Sequence, residues 1–172
     1  MKKSTETSGF TIVELLIVIV VIGILAAITV VAFNDIQDRA RQSKIDSDLS
    51  AIAKAAQAAR INNDSNLFTI TADFTDEHCF NQPSGTDLAT LPQTHECWTK
   101  YHAALDDVSV ASGMNVRNLV DPWGRPYYFD ENEGEGDWAA CTRDVFGVYS
   151  RPFVQYGAVT SSKTIPLYST AC

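Results

Sequence analysis

Glu14 is the one charged residue between Phe10 and Phe33, a run of 24 residues that is otherwise almost wholly apolar. A lone carboxylate in such a run costs about 2.5–3.5 kcal/mol on insertion scales, so the chain must supply a counter-charge for it. Just before it stands Gly9-Phe10, at the end of a polar leader carrying Lys2 and Lys3. Other residues invite chemistry too. Cys79, Cys97, Cys141 and Cys172 form an even set suited to two disulfides. His78-Cys79 and His95-x-Cys97 hold the nitrogen and sulfur ligands that zinc takes, at a spacing that matches no common zinc module. The segment Asp130 to Asp137 is dense in the oxygen ligands preferred by calcium, yet Glu135 stands where an EF-hand loop needs glycine. No nucleophile elbow or metalloprotease motif accompanies the three histidines, so an enzyme is not expected.

The elements that must position these residues start with a long helix. Residues 10–33 span about 36 Å as a helix, enough to cross a hydrocarbon core of about 30 Å. A removable secretory signal would be cut after the apolar run, whereas here apolar residues continue past Ala26-Ala27. A plain signal anchor explains the span but not Gly9-Phe10 or Glu14. Lys2 and Lys3 favour an N-terminus inside the cell. Residues 34–61 continue the helix as an amphipathic stripe through Ile36, Ala40, Ile45, Leu49, Ile52, Ala53 and Ala56. No proline interrupts residues 10–61, and Asn62-Asn63-Asp64-Ser65-Asn66 supplies a stop.

Residues 62–172 suffice for one small globular domain. Residues 67–95, with Pro83, Gly85 and Pro92, read as irregular. Cys97, Tyr101, Ala104, Leu105 and Val108 predict a short helix over 95–109, ended by Ser112-Gly113. Aromatic and β-branched runs predict strands at 126–129, 144–149 and 153–156, with a fourth at 164–168 weakened to an edge strand or none by Pro166. The fold class is therefore α+β, a long N-terminal helix with an antiparallel meander laid on its second half. The chain carries 21 acidic against 13 basic side chains, a formal charge of −8, which argues against nucleic acid as a partner.

The stretch Gly9-Phe10-Thr11-Ile12-Val13-Glu14, with its basic leader and apolar tail, resembles the processing site and N-terminal helix of type IV pilins and pseudopilins. The resemblance is specific over residues 8–33. It implies that a prepilin peptidase removes residues 1–9 by cutting after Gly9, that Phe10 is then N-methylated, and that Glu14 neutralises the N-terminal amine of a neighbouring subunit. The implied partners are copies of this chain and other pilins in a filament, the peptidase, an assembly platform and the membrane. The implied location is the cytoplasmic membrane of a prokaryote, then the exterior. Where many members of the family carry a kinking proline, this chain has Val31, leaving Gly23 as the weak point of the helix.

Asp121-Pro122-Trp123-Gly124-Arg125-Pro126-Tyr127 resembles a turn found in major pseudopilins of type II secretion, where a downstream loop binds calcium. That resemblance implies calcium at Asp130, Asn132, Glu133 and Asp137, against the alternative of a solvated acidic hairpin tip. Four cysteines permit three pairings. Cys79–Cys97 and Cys141–Cys172 are expected, the second resembling the disulfide-bounded C-terminal region of type IV pilins. The expected function is a structural subunit of a type IV pilus. A pseudopilin is the first alternative, and a membrane-anchored extracytoplasmic binding domain the second.

Overall fold

The computed structural model of the chain describes residues 11–71, 75–133 and 142–168. It divides into two compact units, one ending at Arg41 and the other beginning at Gln42. Helix α1, Ile12–Asn63, contributes to both. It passes through Gly23 and Val31 without a break, as a sequence lacking proline there should, and it ends two residues beyond the expected Ile61.

In the first unit the residues from Ile12 to Ile28 are apolar, Glu14 apart, and exposed, the large apolar side chains ranging from Ile12 at 84% to Val21 at 48%. Ile36, expected to belong to the buried stripe, is 63% exposed and lies in this unit. Burial begins in the second unit, where Ile45, Leu49, Ile52, Ala53, Ala55, Ala56 and Ala59 all turn inward. The small alanines let neighbouring elements approach the helix backbone closely, and they retain high helix propensity.

The second unit then builds α2 (Leu67–Thr71), α3 (Thr75–Phe80), a 3-10 turn (Leu88–Thr90) and α4 (Glu96–Ser112). Short elements thus occupy a region expected to be irregular. Side chains start them: Asn66 accepts from the Thr69 amide at 2.8 Å, and Asp87 accepts from the Ala89 amide at 3.1 Å. Helix α4 begins at His95, whose Nδ1 accepts from the Cys97 amide at 3.2 Å. It ends at Gly113, whose φ of 73° suits a residue without Cβ. The Asn62 side chain donates to the carbonyl of Ala111 at 3.1 Å, so the last turn of α1 satisfies a terminal acceptor of α4.

Strands β1 (Tyr128–Asp130), β2 (Val145–Val148) and β3 (Thr160–Thr164) form an antiparallel sheet in the order β1-β2-β3. Tyr128 faces Gly147 and Phe129 faces Phe146. Two strands differ from expectation. The run 153–156 is not a strand, because its backbone bonds to another loop: the Gly85 amide donates to Phe153 and the Gln155 amide to the Ser84 hydroxyl. The third strand is instead the polar, largely exposed Thr160–Thr164, an edge strand that aromatic patterning cannot reveal.

The main core packs Ile45, Leu49, Ile52 and Ala56 of α1 with Trp98, Tyr101, Leu105, Phe129, Phe146 and Ile165. A smaller cluster gathers Cys79, Leu88, Cys97, Tyr128, Tyr149 and Phe153.

Candidate functional site

At the start of α1, Thr11 and Glu14 form a reciprocal cap. The Thr11 amide and hydroxyl donate to Glu14 Oε2 at 2.8 and 2.7 Å, and the Glu14 amide donates back to Thr11 Oγ1 at 3.3 Å. The spacing Thr-x-x-Glu of a capping box was legible in the sequence, yet reading Glu14 only as a membrane charge overlooks it. The carboxylate also faces the positive end of the helix dipole. Both bonds from Thr11 fall on Oε2, so Oε1 has no partner among the described residues. The site can therefore start its own helix and still accept a cation. Gly9 and Phe10 lie outside the described residues. The apolar helix surface that follows is exposed and long enough to span a membrane. A Cβ at Gly23 would meet nothing within 4 Å, so this glycine answers no local packing demand.

The second unit holds a charge cluster that pattern reading missed. Arg60, on the last turns of α1, is 2% exposed. It donates to Glu133 Oε2 at 2.5 Å and to Asp144 Oδ2 at 3.3 Å. Asp144 Oδ1 accepts from the Glu133 amide at 2.9 Å, and Glu133 accepts from the Tyr168 amide at 2.8 Å. Arg60 also lies 5.6 Å from the Tyr168 ring centre. One guanidinium thus ties α1 to both flanks of residues 134–141 and to the segment after β3. Burial pushes the Asp144 carboxyl up to about 6, against the pull of the Glu133 amide and Arg60. Burial likewise raises Asp130, whose carboxylate accepts from the Tyr128 hydroxyl at 2.7 Å.

The expected calcium ligands are divided. Asp130, Asn132 and Glu133 are described, Asp137 is not, and Glu133 is already paired with Arg60. Among the described residues no three His, Cys, Asp or Glu side chains are grouped to hold a metal ion.

Cys79 and Cys97 form a disulfide between α3 and the first turn of α4. This removes both thiolates from the zinc alternative, and His95 serves as a helix cap. Cys141 and Cys172 lie outside the described residues. The Asp121–Tyr127 turn is held by its own residues. Asp121 Oδ1 accepts from the amides of Trp123 and Arg125, each at 2.9 Å, and Oδ2 accepts from Arg125 Nε at 2.8 Å. Arg125 then donates to the carbonyls of Tyr149 at 3.0 Å and Ser150 at 3.1 Å. Gly124, at φ 75°, permits the bend.

The prokaryotic N-terminal methylation motif matches residues 6–30. The type II secretion system core protein G of Pseudomonas aeruginosa is 30% identical over 145 residues, 84% of this chain and 82% of that protein. The type IV narrow pilus major component of Thermus thermophilus is 47% identical over 56 residues, 33% of this chain and 48% of that protein. The type IV major alpha-pilin of Moraxella bovis is 43% identical over 51 residues, 30% of this chain and 32% of that protein. No solved structure matches.

Proposed function

Since the chain belongs to the pilin and pseudopilin family, whose members are structural subunits, we propose that it builds a type IV pilus serving adhesion, twitching motility or DNA uptake. The observation that carries this reading is Glu14, with one carboxylate oxygen spent on its own cap and the other open, at the head of an exposed apolar helix. A prepilin peptidase cuts after Gly9, and Phe10 is methylated on the freed amine. The precursor waits in the cytoplasmic membrane with its N-terminus inside. At the assembly platform the open oxygen of Glu14 accepts the Phe10 amine of a neighbouring subunit, and apolar packing of residues 10–33 extends a head-to-tail assembly that does not close. The second unit is displayed outside.

Glu14→Ala tests the step directly. The variant should reach the membrane fraction yet be missing from sheared filaments, and normal filaments would overturn the proposal. Gly9→Val should leave an uncleaved precursor of lower gel mobility.

The second reading is a pseudopilin of a secretion or competence machine. It is favoured by likeness to core protein G over 84% of the chain, whereas the likeness to pilins covers about a third of it. Abundant long filaments containing this chain in a shear fraction support the pilus; their absence, with a secretion defect on deletion, supports the pseudopilus. Calcium bound by Asp130, Asn132, Glu133 and Asp137 belongs to the same proposal. A higher thermal midpoint with calcium than with chelator supports it, and no shift refutes it.

A further inference from the structure

A cavity of about 340 Å³ opens beside the Asp121–Tyr127 turn, between Gly85-Thr86-Asp87 on one wall and Trp123, Arg151 and Phe153 on the other. It falls at the small end of ligand sites, suited to one sugar-sized group rather than to a folded partner. Its walls are fixed. The Gly85 amide donates to Phe153 at 2.8 Å, and the Gln155 side chain donates to Asn81 at 2.9 Å, so the two loops that bound it are bonded together. The Cys79–Cys97 disulfide anchors the chain just before the first of these loops.

The polar groups divide into spent and available. Arg125 uses its donors on Asp121, Tyr149 and Ser150. Arg151 is exposed, and its guanidinium lies 4.4 Å from the Trp123 ring centre. It has no ion pair among the described residues. Stacking on the ring orders the guanidinium while leaving its in-plane N–H donors to face a ligand. Across the cavity, Asp87 Oδ1 caps the 3-10 turn, while Oδ2 and the Thr86 hydroxyl carry no partner among the described residues.

We propose that this cavity binds an acidic sugar unit of the uronic-acid class, its carboxylate on Arg151 and its hydroxyls on Asp87 and Thr86. Each constraint removes a competitor. With Arg151 over Trp123 and Arg125 5.5 Å from the same ring, the indole is occupied and a neutral sugar gains no open stacking face. The Asp87 carboxylate repels a dense polyanion such as nucleic acid, but it accepts from hydroxyls. A ligand with one carboxylate and neighbouring hydroxyls satisfies both walls. The site is independent of whether the subunit enters a pilus or a pseudopilus.

The test titrates the full chain in detergent with glucuronate, galacturonate, methyl glucoside, acetate and N-acetylaspartate, followed by calorimetry. The uronates should bind saturably with Kd on the order of 1 mM, and methyl glucoside and acetate at least about tenfold more weakly. Arg151→Ala should weaken uronate binding by about tenfold or more. Asp87→Asn, which retains the capping oxygen, should lessen the preference for uronate over acetate. Unchanged thermal midpoints in both variants tie the losses to the site. Uronate binding unaltered in Arg151→Ala, acetate or N-acetylaspartate binding as tightly as uronate, or no saturation at all would each overturn the proposal.

Discussion

Asp144 carries a proton more readily in the folded chain than in the unfolded one, because burial outweighs Arg60 and the Glu133 amide. Its ordinary value of 3.8 rises to about 6. The folded state therefore binds more protons between these values, and this group's contribution to stability falls as pH rises from about 4 to about 6. Asp144→Asn should remove that slope, so the difference in thermal midpoint between variant and wild type should change across this window and stay flat above pH 7. Arg60→Met strands Glu133 and Asp144 in the interior and should cost about 3–5 kcal/mol, read as a lower midpoint in chemical denaturation. Sequence reading reached Glu14 because a charge in an apolar run is conspicuous. It missed Arg60 because an arginine among alanines looks like any solvated helix residue. The burial of Arg60 depends on two carboxylates 73 and 84 positions further on.

Strand β2 shows how an element hides its weakest tolerance. A Cβ on Gly147 would lie 2.2 Å from Val159 Cγ1 and 3.3 Å from Ser162 Cβ, at the irregularity where β2 meets β3. Gly147→Ala should destabilise by about 1–3 kcal/mol through overpacking, and Val159→Ala in the same chain should restore part of the loss. Both effects are measurable as thermal midpoints. The disulfide works on a different element pair. Cys79→Ala with Cys97→Ala frees a loop of 18 residues and should cost about 3 kcal/mol in the chain-entropy account. Helix α1, helix α4 and the first two strands were legible because their apolar periods are long or strongly aromatic. Residues 153–156 share the aromatic pattern of a strand. Their partners lie in a loop 71 residues earlier for Gln155, and only tertiary bonds decide that.

Across the whole molecule, one helix serves both units, yet the second begins at Gln42. A chain starting at Gln42 should be soluble and folded by circular dichroism, while one starting at Asn62 should aggregate, having lost Ile45, Leu49, Ile52 and Ala56 from the core. The same arrangement sets an order of events in the making of the protein. Arg60 emerges early, but Glu133 and the Tyr168 amide that complete its surroundings come about a hundred residues later, roughly 5–20 s of synthesis at ordinary rates. Throughout that delay the Arg60 guanidinium lacks the partners that enclose it in the folded chain. The charge cluster therefore closes only when the final residues arrive, so a chain truncated before Tyr168 should leave Glu133 without that amide and unfold at a lower temperature.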